Sequence, residues 1–226
     1  MIAFLKRLFG ATGREDAVAR CYDLIVEQSR RPEFYLAGGV PDTLDGRYEM
    51  LALHAFLVVH RLKRQGEPAR LFSRDLFEGM ITEMDRTVRE MGVADMGVAS
   101  RVKRMAKGFN GRIHAYDHGV AAGGDHGVAA GGEHGVAAGG DHGVAAGGGE
   151  ALLAALDNNL YGTVLEPAPE ALAAMAAYIR LAVAGLAALP LETLLAGEVR
   201  FPEPPGGGGG DSSRGAGGGI PGGGES

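Results

Sequence analysis

Four pairs of an acidic residue followed by a histidine recur every eight residues near the middle of the chain. They lie in DHGVAAGGDHGVAAGGEHGVAAGGDHGVAAGG, residues 117–148, in which Glu133 is the single departure from a perfect repeat. Imidazole nitrogens and carboxylate oxygens both bind zinc, so the spacing of these pairs suggests a metal site.

The rest of each repeat argues against that role. The residues between successive pairs are Gly, Val and Ala, and ordering such a chain around a metal costs roughly 1–2 kcal/mol of backbone entropy per residue. Units of eight residues are also too short to stack as a solenoid. We predict that residues 117–149 are a low-complexity insertion, a tandem duplication in a tolerant loop, with no metal or cofactor. Weak, non-stoichiometric metal binding is the alternative.

The reactive residues outside the repeats form no recognisable catalytic set. His54 lies within an apolar run, which favours a hydrogen-bonded structural histidine, and His60 opens the charged end of the same predicted helix. Cys21 falls in a helical pattern and is predicted to be a buried, inert thiol. The Gly38–Gly39 loop follows no strand and lacks the lysine of a phosphate-binding loop. We therefore expect neither an enzyme nor a small-molecule substrate.

Apolar residues recur at helical spacing in six segments, whereas strand signals are nearly absent. The pattern predicts an all-α fold, a single bundle of about five to seven helices. Residues 13–116 and 150–197 are expected to form this one domain, interrupted by the insertion. Residues 1–12 are predicted to be an amphipathic segment, and the Gly-rich residues 198–226 a disordered tail.

Charge is distributed unevenly along the chain. Residues 1–116 carry 19 Lys and Arg against 15 Asp and Glu, whereas the remainder carries 3 against 13. Within the predicted helix 98–116, cations lie opposite the apolar stripe or at its edge. These residues are Arg101, Lys103, Arg104, Lys107 and Arg112. They predict binding to an acidic partner, either RNA, lipid head groups or a protein, with an ordinary solvated surface as the alternative. A helix-turn-helix is disfavoured because the connection before this helix is too long.

Two stretches resemble a known family. GVPDTLDGRYEMLALHAFLVVHRLKRQG, residues 39–66, and DRTVREMGVADMGVASRVKRMAKGFNGRIHAYD, residues 85–117, are similar to the ubiquinol–cytochrome c chaperone family, as is LLAALDNNLYG after the repeats. The resemblance covers roughly residues 13–197, and the repeats are its one departure. It implies an all-helical, non-enzymatic factor that helps to assemble the cytochrome bc1 complex by binding newly made cytochrome b.

This resemblance, together with the charge pattern, suggests where partners bind. We expect a docking face that includes Arg101, Lys103, Arg104 and Lys107, and a second surface at the loop containing Val40, Pro41, Asp42, Asp45 and Arg47. Capping of the next helix is an equal explanation of that loop. The expected partners are cytochrome b or other bc1 subunits, and the alternative function is binding to a ribosome or RNA through helix 98–116.

The expected location is cytoplasmic, with peripheral contact at the inner face of the bacterial inner membrane (the matrix side in eukaryotic relatives). Residues 1–9 lack the features of a secretory signal, but their apolar side chains with Lys6 and Arg7 are suited to a lipid interface. Docking of this segment onto the protein's own core is equally compatible with its sequence. Residues 171–189 are long and apolar, but they are mostly alanine and carry Arg180 at their centre, which disfavours a membrane-spanning helix.

Overall fold

The computed structural model describes residues 11–90, 95–123 and 148–207, with side chains described in 13–86, 107–121 and 149–207. Eight helices occur in these ranges and no strand does. They are α1 (Ala11–Ser29), α2 (Pro32–Leu36), α3 (Leu44–Leu62), α4 (Glu67–Glu90), α5 (Asp95–Gly123), α6 (Gly148–Asn159), α7 (Pro169–Ala188) and α8 (Leu191–Leu195). The prediction of an all-α fold is confirmed. The six longer helices correspond to the six periodic segments, whereas α2 is a short helix between α1 and α3 and α8 is a short helix after α7.

Helix α3 lies at the centre of the fold and packs against α1, α4, α5 and α7. An unbroken run of its residues, 52–58, is buried, so this helix is enclosed on nearly all sides. The apolar sequence of the run, with His54 as its only polar residue, explains this position because no face of the helix needs water. Phe56 is fully buried.

Helix α1 packs on this core through the predicted stripe. Ala17, Val18, Cys21 and Ile25 are buried. Burial raises the pKa of the Cys21 thiol to about 12, which keeps it protonated and unreactive at neutral pH. The predicted burial of this thiol is therefore confirmed.

A chain of hydrogen bonds crosses the core through His54, which is fully buried. Its Nδ1 lies 2.8 Å from the Met50 carbonyl oxygen and its Nε2 lies 2.7 Å from the Tyr178 hydroxyl. A carbonyl only accepts, so Nδ1 carries the proton and Nε2 accepts from Tyr178. Gln28 Nε2 then donates to the Tyr178 oxygen at 3.1 Å and to the Pro202 carbonyl at 2.9 Å. His54 is the structural histidine that the sequence predicts.

The same contacts correct the predicted start of the disordered tail at residue 198. Val199 is buried, Phe201 packs edge-on against the His54 ring at 5.0 Å, and Glu203 pairs with Arg31 at 2.8 Å. Residues 198–207 therefore belong to the folded domain. The abundance of Pro and Gly in this segment concealed two apolar side chains that complete the core. Residues 208–226 lie outside the described residues.

The predicted boundary of the repeat insertion at residue 117 is also wrong. Helix α5 continues through the first repeat to Gly123, and the Asp117 carboxylate accepts hydrogen bonds from His60 Nδ1 at 2.7 Å and from Lys63 Nζ. Gly119 lies so close to α6 that a Cβ there would be 2.7 Å from the Leu152 Cα. The first repeat is thus part of the bundle because its Asp and Gly fit their neighbours. Residues 124–147, with the other repeats, lie outside the described residues.

Helix α7 is the one helix in the described ranges that is long and apolar enough to cross a membrane, with a mean hydropathy of 1.8. Its buried face, formed by Met175, Tyr178, Ile179 and Ala182, packs into the protein core. These contacts are typical of a core helix, and they account for its apolar composition.

Candidate partner-binding site

The loop between α2 and α3 has a backbone shape that is fixed by close contacts. Thr43 is the N-cap of α3, and its Oγ1 accepts a hydrogen bond from the Gly46 backbone N–H at 3.1 Å. A Cβ on Gly46 would be 2.0 Å from the Pro41 carbonyl oxygen, so only glycine fits there. The predicted capping role of this segment is present, and Thr43 provides it.

The predicted site residues of this loop differ in their exposure. Asp42, Asp45 and Arg47 are exposed, and the Arg47 Nε donates to the Asp42 carboxylate at 2.6 Å. That neighbouring guanidinium lowers the pKa of Asp42. Pro41 is half-buried, but Val40 is buried in the core and therefore shapes the loop from within. Val40 has no exposed surface to offer a partner, which corrects its predicted role.

A second loop, residues 160–168, lies against the first. The Tyr161 hydroxyl donates a hydrogen bond to the Gly38 carbonyl oxygen, and Gly39 lies beside Ala171 at the start of α7. Burial raises the pKa of the Tyr161 phenol, so it is a permanent donor near neutral pH. The fold thus brings together GVPDTLDGR and DNNLYG, two stretches that carry the family resemblance and lie more than a hundred residues apart.

Two leucines protrude from these joined loops. Leu36 is 83 % exposed and Leu165 is fully exposed, and they are two of the three exposed large hydrophobic residues in the described part of the chain. We name residues 36–47 together with 161–165 the loop surface. Sequence analysis missed both leucines because each looks like an ordinary apolar residue. Their position beside Gly- and Pro-rich turns was the available signal.

A shallow cleft of about 270 Å³ lies beside Leu36. It is lined by Arg30, Pro32, Tyr35, Leu36, Asp42 and Arg47. The Tyr35 hydroxyl donates to the Ser29 carbonyl at 2.8 Å, and burial raises the pKa of this phenol. Two arginines and one aspartate thus surround an apolar patch, which suits an apolar polypeptide segment that carries an acidic side chain.

The predicted basic residues lie on α5. Lys107 is exposed, whereas the side chains of Arg101, Lys103 and Arg104 lie outside the described residues. We name these four residues the basic face. Arg112 does not belong to its edge as predicted, because the Arg112 Nε donates to the Glu49 carboxylate at 2.5 Å and its guanidinium lies 5.2 Å from the centre of the Tyr48 ring.

The contacts of Arg112 attach α5 to the core. Burial raises the pKa of Glu49, and the Arg112 guanidinium opposes that shift. The carboxylate in turn raises the pKa of Arg112. On the same helix, Phe109 is buried and stacks on Phe77 with ring centres 5.1 Å apart. Tyr116 is also buried, as predicted, although its hydroxyl has no hydrogen-bond partner in the described part of the chain.

Comparison with known proteins identifies relatives of this fold. The chain is 25% identical over 104 residues to the ubiquinol-cytochrome-c reductase complex assembly factor 1 of Xenopus laevis, and 29% identical over 104 residues to the assembly factor of the same name in Mus musculus. The match covers 46% of this chain in both cases, and 52% and 35% of those proteins. The chain therefore spans about half or less of the curated relatives that it matches.

A solved structure matches nearly the whole chain. The crystal structure of the Cbp3 homolog from Brucella abortus superimposes with a TM-score of 0.67 at 30% identity, covering 90% of this chain and 97% of that one. The family model described as ubiquinol-cytochrome C chaperone matches residues 36–130 and 134–201, which is more than half of the chain. The chain belongs to the ubiquinol–cytochrome c chaperone family.

Proposed function

We propose that this protein is a non-enzymatic assembly factor for the ubiquinol–cytochrome c reductase (bc1) complex. The observation that carries the proposal is the family match over residues 36–130 and 134–201. Relatives in three vertebrates that carry the name of assembly factor 1 for this complex support the same role. The buried thiol of Cys21 and the structural role of His54 are consistent with a binding protein.

The loop surface is the proposed client-docking site. Its support is the convergence of two family-like stretches through the hydrogen bond from Tyr161 to Gly38, together with the exposure of Leu36 and Leu165 near that contact in the sequence. Burying an exposed leucine side chain against a partner is worth about 1.5–3 kcal/mol, so two of them provide a substantial apolar anchor. Arg30 and Arg47 at the adjacent cleft favour a segment with an acidic side chain.

The proposed client is cytochrome b or another bc1 subunit before its insertion into the complex. A subunit that will enter a membrane presents apolar segments to water, and the loop surface offers apolar side chains on a rigid backbone to such a segment. The basic face, Arg101, Lys103, Arg104 and Lys107, is proposed as a second contact for an acidic part of the client. Its support is the absence of any acidic residue between Val98 and Tyr116 in the sequence.

We also propose that the protein works on the cytoplasmic side of the membrane, in contact with its surface. The support is the composition of residues 1–9, which combine apolar side chains with Lys6 and Arg7. A client that is inserted into the membrane requires its chaperone to be nearby.

The experiment is deletion of the gene in a respiring host, followed by measurement of the assembled bc1 complex on native gels. The proposal predicts loss of the assembled complex and its recovery when the intact gene is restored. Normal levels in the deletion strain would reject the assembly role. Affinity purification with mass spectrometry then identifies the client, and recovery of ribosomal proteins without bc1 subunits would favour the ribosome-binding alternative.

A further inference from the structure

The turn after α3 contains an arginine where glycine is favoured. The Gln65 N–H donates to the Leu62 carbonyl at 3.2 Å, Lys63 has φ −57° and ψ 130°, and Arg64 has φ 64°. These angles are those of a type II turn, whose third residue is usually glycine because φ is positive there. Among the described residues, Arg64 is the one non-glycine with a positive φ. Its side chain raises the free energy of the fold, so this arginine is poorly suited to the turn itself.

The turn projects a small excess of positive charge. Lys63, Arg64 and Gln65 are exposed, and the Arg61 guanidinium donates to the Leu186 and Leu189 carbonyls at 2.9 and 3.0 Å. Asp117 is the acidic residue that contacts this group, through Lys63 and His60. Histidine not counted, Arg61, Lys63, Arg64 and Asp117 leave a formal net charge of +2.

An amphipathic cleft lies beneath these cations. It measures about 350 Å³, and its apolar lining consists of Leu57, Val183, Leu186 and Ala187. His60, Arg61 and Lys63 form its polar rim together with Gln65. Leu57 and Leu186 are fully buried, so the half-buried Val183 and the exposed Ala187 supply the apolar surface beside this basic edge.

Helix α7 carries further exposed apolar side chains. Leu181 is 62 % exposed, and Ala184, Ala187 and Ala188 are exposed as well. No acidic residue occurs between Ala171 and Leu191, and Arg180 is the one charged residue in that stretch. The end of the molecule beside the turn therefore combines exposed apolar side chains with cations.

We propose that this end of the protein binds the surface of an anionic lipid bilayer. Lys63 and Arg64 contact lipid phosphates, and Leu181 with the neighbouring alanines of α7 lies among the head groups. The arrangement of cations above apolar surface matches a bilayer, in which anionic head groups cover hydrocarbon. RNA offers charge but no apolar layer to cover Leu181. This contact rests on the proposed location at the membrane surface and assigns it to a surface separate from residues 1–9.

The test is flotation of the full-length protein with phosphatidylcholine vesicles, with or without phosphatidylglycerol as roughly a third of the lipid. The protein is expected to float with the anionic vesicles alone, and less at high salt. Because each cation near an anionic surface changes partitioning about fivefold, Lys63→Gln with Arg64→Gln is expected to reduce it about 25-fold. Leu181→Ser is also expected to reduce it.

A matched control removes the same charge elsewhere. Arg74→Gln with Arg86→Gln alters two exposed arginines of α4, and flotation is expected to stay at the wild-type level. A second control, Leu5→Ser, weakens the contribution of residues 1–9. Absence of flotation with the wild-type protein, or equal flotation of the Lys63/Arg64 variant, would overturn the proposal. If the Lys63/Arg64 variant floats as well as the wild-type protein but no longer binds a single-stranded RNA oligonucleotide, the turn binds RNA instead.

The variant Arg64→Gly separates lipid binding from folding. Glycine suits the positive φ, so the melting temperature is expected to rise while vesicle binding falls about fivefold. Unchanged vesicle binding in this folded variant would show that Arg64 does not contact lipid, and would overturn the proposal.

Discussion

The loop surface and the basic face both lie in stretches that resemble the family, yet the chain builds them in different ways. The loop surface owes its shape to the backbone, through the close contact of Gly46 with Pro41 and the hydrogen bond from Tyr161 to Gly38. The basic face is a row of cations on a regular helix. Substitutions that disturb the loop backbone are therefore expected to alter folding and the proposed docking together, whereas replacing Lys107, which is exposed on that helix, is expected to alter charge.

The largest effect is expected where α5 is attached to the core. Replacing Arg112 with Met leaves the Glu49 carboxylate buried without its partner, which should lower the free energy of unfolding by about 3–5 kcal/mol. Urea denaturation measures this loss. Lys107→Met on the same helix is the matched control, with an expected change of about 0.5 kcal/mol or less. Equal effects of the two substitutions would show that the ion pair does not anchor the helix.

Acid is expected to destabilise the core behind the loop surface, where His54 packs against Phe34 of α2. Burial lowers the pKa of His54 from 6.5 to about 4, so the unfolded chain takes up a proton that the folded chain excludes. The contribution of neutral, buried His54 to the free energy of unfolding is fully present above pH 6.5. It is lost as the pH falls towards 4, by about 3 kcal/mol in total.

Denaturation measured across this pH range tests the expectation. Replacement of His54 by Gln should make the curve flatter between pH 6.5 and 4, whereas His114→Gln, at an exposed position of α5, should not. If the His54 variant keeps the wild-type slope, another group is responsible for the acid sensitivity.

The first repeat should tolerate substitution less well than the second. Adding a methyl group at Gly119 forces α5 away from Leu152, so Gly119→Ala should cost about 1–3 kcal/mol. Gly127 has the same place in the next repeat, and Gly127→Ala is expected to change the free energy of unfolding by about 0.5 kcal/mol or less. Thermal unfolding of the two variants gives the comparison, and similar losses would mean that the repeats are not a tolerant insertion.

The hydrogen bond that connects the two loops, from Tyr161 to Gly38, is expected to have a smaller effect on stability. Tyr161→Phe removes the donor to the Gly38 carbonyl and should lower stability by about 1–2 kcal/mol. Tyr116→Phe is the control, since the Tyr116 hydroxyl is buried without a partner in the described part of the chain, and its removal should be neutral or stabilising. An equal loss of stability in Tyr116→Phe would contradict this account of the hydrogen bond between the loops.

The sequence predicted the helices well because apolar residues recur at helical spacing in each of the six longer helices, including α3, which is buried on nearly all sides. The buried positions of Cys21 and His54 were predicted from that pattern. The domain boundaries were less predictable, because Gly-rich composition hides tertiary contacts such as those of Gly119 and Phe201. The loop surface depends on contacts between residues more than a hundred positions apart, which local patterns do not contain. Arg112 resembled a surface cation because its partner, Glu49, lies on another helix.

The most direct test of the loop surface compares recovery of bc1 subunits with three tagged proteins expressed in the deletion strain. The first is wild type, the second carries Leu36→Glu and Leu165→Glu, and the third carries Lys103→Glu, Arg104→Glu and Lys107→Glu. The substitutions at Leu36, Leu165 and Lys107 should leave folding intact, because these side chains are exposed and exposed substitutions change stability by about 0.5 kcal/mol or less. We expect the leucine variant to lose most of the bound subunits at any salt concentration, and the charge variant to lose part of them in a salt-sensitive way. Recovery of bc1 subunits by the folded leucine variant at the wild-type level would contradict the central claim that the loop surface holds the client.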